Sequence, residues 1–411
     1  MYVRRSAAVL AAVTVIGVAT PVAQAATASP SASLPAGLYG TTDPTYDGVW
    51  RQSLALLAQD TVGVKPAAAA VDWLTGQQCA NGAFAPFRAD TGKGCDAKTA
   101  VDTNSTAAAV QALAALGGQD AATGKAVTWL KSVQNKDGGW GYFPGGPSDA
   151  NSTSLVAGAL TATGAKPADV VKGGKSPYDA LLTFALPCDA AGGGAFAFQP
   201  DKKGKLAANA DATAAAVVAA LGKTLTGAAP KPTGSALTCK DATDPEQAAQ
   251  NGAAYLVKAL AKDDHLLSTM PGAKDQPDYG NTADAVLALS TAGHGEKAAD
   301  AMRWLGSHYQ EWAKQAGPAA YAQLILAADG TGFDVRDFDG TGDDLVKRLN
   351  ATGPAPESVP AVKSPTASDE QKKADADDDN GVGVWWIVGV CLVAGIGVGF
   401  LLSGRNKGRR K

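Results

Sequence analysis

The feature that most constrains the fold is a compound motif that occurs twice in this 411-residue chain. Its first half reads Trp-Leu-x3-Gln-x3-Gly-x-aromatic and covers residues 73–84 and 129–140. Its second half reads Asp-x-Asn-Ser-Thr and covers residues 102–106 and 149–153. Weaker copies continue to about residue 350. A period of some tens of residues indicates that one supersecondary unit is stacked several times.

Two kinds of helix alternate along this repeat. Helices rich in small residues, with polar caps in front and glycine behind, are predicted at 106–117, 153–164, 213–222 and 282–293, with degenerate copies at 47–63 and 318–330. More amphipathic helices are predicted at 65–78, 123–134, 176–187, 245–261, 295–314 and 342–350. Six alternations predict an all-α (α/α)6 toroid, with six inner and six outer helices. An open superhelical solenoid is the alternative.

The first half of the motif resembles the QW motif of triterpene cyclases. The match is complete at Gln134–Trp140, whereas Phe84 takes the place of the tryptophan in the other copy. Over residues 40–350 the chain is similar to the terpene cyclase and protein prenyltransferase β-subunit superfamily. The resemblance implies a toroid, which in that superfamily also serves non-enzymes such as transcobalamin-type carriers.

The second half of the motif stands where squalene–hopene-type cyclases carry Asp-x-Asp-Asp-Thr-Ala, the motif whose acid protonates the substrate. Asn104 and Asn151 replace the acid in two copies, and an amide cannot supply that proton. Asp211 keeps the central carboxyl in a third copy, so it is a conditional catalytic candidate. Ligand binding or protein interaction is therefore the preferred prediction, and a cyclase-like enzyme using Asp211 is an alternative.

The start of each inner helix is the predicted ligand-binding region. Parallel inner helices place their N-termini at one mouth of the ring, where backbone N–H groups suit an anionic or hydrogen-bonding ligand. The candidate residues are polar groups at these starts and aromatic groups in the preceding loops: Asp102, Asn104, Asp149, Asn151, Asn209, Asp211, Asp278, Asn281, Phe87, Tyr142, Phe143 and Phe198. Helix capping alone is the structural alternative for the polar set. Paired aspartates of a glycan hydrolase or lyase are a further alternative.

The resemblance to transcobalamin-type carriers implies a large amphipathic ligand, such as a corrinoid, that is passed to a membrane transporter. Those carriers cover the ligand with a small β-domain, so a secreted partner subunit is expected here. No other cofactor and no metal are expected, because the chain has no C-x2-C pair and its histidines lack ligand-like spacing. The net charge of −3 and the absence of a basic stripe argue against nucleic acid.

The two ends of the chain predict export and anchoring. Residues 1–25 are typical of a signal peptide, 26–351 form the extracytoplasmic toroid and 352–381 a disordered stalk. Residues 382–402 are uncharged and long enough for a transmembrane helix, which needs about 20 residues. The basic tail at 403–411 predicts a single-pass type I protein of the cell membrane.

Four cysteines lie in the predicted extracytoplasmic part, where disulfides persist. They allow three connectivities. We favour Cys79–Cys95 and Cys188–Cys239, because each pair lies within one local excursion of the chain.

Overall fold

The computed structural model describes residues 35–232, 237–268 and 274–361. These ranges hold twelve α-helices: α1 Gly48–Thr61, α2 Ala68–Gly76, α3 Thr103–Leu116, α4 Asp120–Ser132, α5 Ala150–Ala162, α6 Pro177–Leu182, α7 Ala210–Ala220, α8 Pro245–Leu260, α9 Tyr279–Thr291, α10 Ala299–Ala316, α11 Pro318–Thr331 and α12 Leu345–Asn350. Two short antiparallel hairpins accompany them, formed by β1 Phe196–Ala197 with β2 Ala208–Asn209 and by β3 Leu266–Ser268 with β4 Gln276–Asp278.

The predicted signal peptide, transmembrane segment and basic tail, with most of the stalk, lie outside the described residues. Among the helices that are described, none is both long and apolar enough to span a bilayer.

The odd-numbered helices form a closed ring. Each packs on the next odd-numbered helix, from α1 through α3, α5, α7 and α9 to α11, and α11 packs back against α1. Each even-numbered helix packs on the odd-numbered helix before it. Closure of the ring rules out the open solenoid, and the predicted all-α toroid of six helical hairpins is confirmed for the described residues.

The composition of the inner helices explains their position. In α3, residues 105–113 are all buried, and alanine supplies most of the apolar ones. Small side chains allow an inner helix to pack closely against neighbours on both sides and an outer helix behind. The outer helix α10, in contrast, has a buried face with Met302, Leu305 and Tyr309 and an exposed polar face.

Four inner helices begin one turn earlier than predicted, at Thr103, Ala150, Ala210 and Tyr279. The sequence prediction started each at the motif threonine, but the true N-cap is the aspartate or asparagine four residues before it. The outer helix predicted at 176–187 is also shorter, because α6 ends at Leu182.

The glutamine of the first half-motif ties one helical hairpin to the next. Gln134 Nε2 donates to the carbonyl oxygens of Gly138 at 2.8 Å and Val170 at 3.1 Å. Gln78 Nε2 makes the equivalent bonds to Gly82 at 3.0 Å and Ala122 at 2.8 Å. The half-motif therefore fixes the end of an outer helix, its following loop and the neighbouring hairpin together.

The threonine of the second half-motif joins the two halves. Thr106 Oγ1 accepts a hydrogen bond from Phe84 N at 2.9 Å, and Thr153 Oγ1 accepts one from Trp140 N at 3.1 Å. Thr213 and Thr282 accept equivalent bonds from Phe196 N and Leu266 N. This bond holds the loop aromatic in the core, where Phe84, Trp140 and Phe196 are fully buried.

Replacing Trp140 by phenylalanine is expected to lower the free energy of unfolding by about 1–3 kcal/mol, because a fully buried ring becomes smaller and Leu130 O keeps only the 3.3 Å bond from Val133 N. The Trp140 indole N–H donates to that oxygen at 2.7 Å. Phenylalanine fits the slot, since Phe84 fills it in the other copy. Urea unfolding measures the loss, with Trp129→Phe as the matched change in the same hairpin. Equal losses in both variants would contradict the assigned role of the hydrogen bond.

Both predicted disulfides are confirmed, Cys79 with Cys95 and Cys188 with Cys239. The first closes the long loop between α2 and α3, and the second joins the loop after α6 to the segment before α8. Two disulfides are in line with an oxidising compartment.

Candidate ligand-binding site at the mouth of the ring

A cavity of about 350 Å³ lies inside the ring and receives side chains from all six inner helices. Its polar lining includes Asn104, Gln111, Asn151, Ser154, Asp211, Asn281, Asp284 and Gln323. Its apolar lining includes Trp50, Leu54, Leu155, Val218, Leu287 and Leu326. The site is therefore made by the ring as a whole and not by any single hairpin.

The segment between α7 and α8 closes the end of the ring at which the inner helices finish. Leu225 N donates to Gln111 Oε1 on α3 at 2.7 Å, and Ala228 N donates to Thr291 Oγ1 on α9 at 3.2 Å. Helices α3 and α9 lie opposite each other in the ring. Residues 223–229 therefore cross the ring as a floor beneath the cavity, and the mouth is at the N-terminal ends of the inner helices.

The two polar residues of the Asp-x-Asn motif have different roles. The first residue caps its helix: Asp102 accepts from Ser105 N at 2.6 Å and Asp149 from Ser152 N at 2.7 Å. Asn209 and Asp278 cap α7 and α9 in the same way. The residue two positions after the cap lies about half a turn further along the helix and lines the cavity in three helices, as Asn104, Asn151 and Asp211. Capping thus accounts for half of the predicted polar set.

Two carboxyl groups in the cavity are held by amides. Asp211 Oδ2 accepts a hydrogen bond from Asn151 Nδ2 at 2.7 Å. Both Asp284 oxygens accept from Gln323 Nε2, at 3.1 and 3.2 Å. We call the set Asn104, Asn151, Asp211, Asn281, Asp284 and Gln323 the polar collar.

The enclosure of the collar changes the titration of its acids. Burial raises the pKa of Asp284 to about 7, helped by the neighbouring Asp211 charge and opposed by the hydrogen bond from Gln323. Burial also raises the pKa of Asp211, against the hydrogen bond from Asn151 and with a smaller contribution from Asp278. Near pH 7 Asp284 is therefore partly protonated, so the collar offers a carboxylic acid donor as well as acceptors.

Two acceptors of the collar have no partner within the described part of the chain. They are the side-chain carbonyl oxygens of Asn104 and Asn151. Buried polar atoms are usually hydrogen-bonded, so unpartnered ones beside a cavity point to a missing partner.

Three of the four aromatic candidates are exposed at the rim of the mouth, and the fourth is packed against another aromatic ring. Tyr142, Phe143 and Phe198 are 41%, 55% and 44% exposed. Their loops are fixed to the mouth, because Thr103 N at the start of α3 donates to Tyr142 O and Ala150 N at the start of α5 donates to Phe198 O. Phe87 is instead half-buried and stacks on Trp73, with ring centroids 6.4 Å apart. The exposed rim is thus made by three of the four predicted aromatics.

The sequence prediction missed Asp284, Gln323 and Trp50. None of them stands in the Asp-x-Asn-Ser-Thr motif, so the repeat gave no reason to select them. One signal was available for Asp284, which is a carboxylate inside α9. All of the remaining residues from 282 to 291 are buried. A charge at such a position is costly unless it is paired or used.

The free energy of unfolding is expected to fall as pH rises from about 4 to about 7, because folded Asp284 holds its proton to higher pH than the unfolded chain does. Asp284→Asn resembles the protonated carboxyl, so it should remove part of this pH dependence. Relative to the unsubstituted chain, the variant should gain more stability at pH 8 than at pH 5. Urea unfolding at both pH values measures it. Asp72→Asn, at an exposed position on the outer helix α2, is the control. An unchanged slope would contradict the raised pKa.

The fold and site define an all-α toroid with a central cavity of acids and amides. Solved structures that resemble it include an ent-copalyl diphosphate synthase from Streptomyces platensis, at 16% identity and a TM-score of 0.47, covering 69% of this chain and 50% of the synthase. A protein from Actinoplanes matches at 18% identity and 0.45, covering 73% and 80%. A sugar epimerase from a ruminal bacterium matches at 14% identity and 0.47, covering 74% and 94%.

This chain spans half the length of the synthase that it matches. No family model and no curated protein matches its sequence.

Proposed function

We propose that the mouth of the toroid binds a large amphipathic solute that carries amide groups, and that a corrinoid is the ligand class that fits best. The proposal rests on the polar collar, whose six side chains come from five inner helices and line one cavity. Side-chain amides and carboxyls both match primary amides, because an amide donates and accepts side by side.

The dimensions of the site decide how such a ligand would lie. The cavity of about 350 Å³ is too small to enclose a corrin ring, so the ring would lie across the mouth. Its peripheral amides would reach the collar, and its apolar face would contact the exposed Tyr142, Phe143 and Phe198. The face turned away from the mouth would remain open, which agrees with the proposed secreted partner subunit as a cover.

The test is equilibrium dialysis of cobalamin against the full-length chain, read from the visible absorbance of the ligand. We expect saturable retention, with weaker retention in Asn151→Ala. Phe87→Leu is the control, because Phe87 packs on Trp73 and does not belong to the rim. Absence of retention, both alone and with the secreted partner, would contradict the proposal.

An enzyme is the second candidate, and one observation favours it. Asp284, with a pKa of about 7, lies beside Asp211 in an enclosed cavity, as a general acid beside a carboxylate would. The synthase and the epimerase are enzymes by their names, but with TM-scores of 0.47 they carry no argument for this chain. The aromatic lining of the cavity is Trp50, which favours a polar substrate such as a glycan over a carbocation.

Incubation with squalene, polyprenyl substrates and cell-wall or storage glycans tests the enzyme candidate. Turnover that disappears in Asp284→Asn and Asp211→Asn would replace the binding proposal. Turnover that both variants retain would show that Asp284 and Asp211 do not catalyse it and would refute the candidate.

We place the toroid outside the cytoplasmic membrane, held by the predicted single-pass anchor and delivering its ligand to a membrane transporter. The two disulfides support this location, because such bonds persist in oxidising compartments.

A further inference from the structure

A second concave site lies on the outer side of the mouth, next to β4 and α10. It is a groove of about 490 Å³ lined by Ser268, Lys274, Gln276, Pro277, Asp278, Tyr279 and Trp312. We call it the aromatic groove. It is separate from the central cavity, with which it shares none of its lining residues.

The wall of this groove is a stack of aromatic rings. Tyr279 and Trp312 lie nearly parallel, with centroids 5.4 Å apart, and Tyr279 also packs on Trp304 at 4.9 Å. Trp304 is held in turn by His265 at 4.0 Å and His308 at 4.9 Å. Tyr279 and Trp312 are half-buried. The stack therefore fixes the two rings that line the groove and leaves part of each accessible.

Polar groups surround these rings with balanced charge. Lys274 and Asp278 bring opposite charges, and Ser268 and Gln276 bring neutral donors and acceptors. A rigid aromatic surface with a few hydrogen-bonding groups is typical of a small-molecule site. The balanced charge and the ring of donors and acceptors favour a neutral ligand rich in hydroxyl groups whose C–H face packs on an aromatic ring.

The groove adjoins the mouth. A Cβ placed on Gly280 would lie 3.5 Å from Gln323 Oε1, in the polar collar, and 3.7 Å from Trp312 Cζ2, in the groove. Asp278 lines the groove, caps α9 and acts on the pKa of both Asp211 and Asp284. A ligand in the groove would therefore lie beside the central site without occupying it.

We infer that the aromatic groove is a saccharide-binding site, with the face of Trp312 that Tyr279 does not cover as the stacking surface and Gln276 and Asp278 as hydrogen-bonding groups. The inference does not depend on the ligand of the mouth. A sugar bound there would hold the toroid on a neutral glycan, such as a cell-surface polymer, while the mouth remains free.

Calorimetric titration of the full-length chain with chitotriose, cellotriose and maltotriose tests the inference, in a detergent without a sugar headgroup. We expect at least one of the three to bind saturably and Trp312→Ala to weaken that binding at least tenfold. Gln276→Ala, at an exposed position, should weaken it measurably without a risk to folding. Phe143→Ala, on the rim of the mouth, is the aromatic control and should leave it unchanged.

The possible results distinguish sugar binding in the aromatic groove from sugar binding in the central cavity. Failure of all three sugars to bind would overturn the inference and leave the corrinoid proposal standing. Binding that survives both Trp312→Ala and Gln276→Ala but is lost in Asp284→Asn would also overturn it, because the sugar would then occupy the central cavity.

Discussion

Replacing Gly138 by alanine is expected to lower the free energy of unfolding by more than about 3 kcal/mol. Gly138 has a φ of +87°, and a Cβ there would lie 2.3 Å from Ser176 O. That oxygen cannot easily move aside, because Ser176 is the N-cap of α6 and makes a capping box with Asp179. The alanine would therefore separate two neighbouring hairpins or distort the loop that Gln134 holds.

The matched control separates the two causes of this loss. Gly164 has a similar φ of +75°, but a Cβ there would meet no atom within 4 Å. Gly164→Ala should cost only the strain of the left-handed backbone, about 1–2 kcal/mol. Urea unfolding of both variants measures the difference, which is the cost of the collision. Equal losses would show that the close packing of the hairpins at Gly138 contributes little.

The second large effect concerns the mouth. Asp211→Ala is expected to weaken cobalamin binding by about 100-fold, which corresponds to about 2.7 kcal/mol. The substitution removes an acceptor for the ligand and leaves Asn151 Nδ2 without its 2.7 Å partner. It also removes the charge that helps to raise the pKa of Asp284, so Asp284 would lose its proton at a lower pH.

Equilibrium dialysis measures this effect, and Asp72→Ala is the control. Asp72 is an exposed aspartate on the outer helix α2, so the same change there should leave the affinity unchanged. Parallel losses in the two variants would assign the effect to general charge, and an unchanged affinity in Asp211→Ala would exclude Asp211 from the binding site.

The repeat predicted the ring because its signals are local. Small-residue runs with caps and glycines define the inner helices, and six alternations imply closure. The disulfides Cys79–Cys95 and Cys188–Cys239 were predictable for the same reason, since each joins nearby parts of the chain. The predicted helix starts were one turn late because the motif threonine was taken as the first helical residue. This threonine lies inside the helix, where its hydroxyl bonds both the helix backbone and the preceding loop.

The site was only partly predictable, because its missing members are set by contacts between distant residues. Asp284 and Gln323 form one pair, but they lie on α9 and α11, outside the motif. The floor at 223–229 depends on Gln111 and Thr291, which no spacing in the sequence connects to it. Phe87 was expected at the mouth because it lies in the loop before an inner helix, yet it is half-buried and stacks on the ring of Trp73.

The most direct test of the central claim, that the polar collar at the mouth is a binding site, is a calorimetric titration of cobalamin into the full-length chain with and without the secreted partner. We predict saturable one-to-one binding that Asp211→Ala and Asn151→Ala weaken and that Trp312→Ala leaves intact. No heat of binding under either condition would contradict it, and turnover of a glycan or polyprenyl substrate that Asp284→Asn abolishes would favour the enzyme instead.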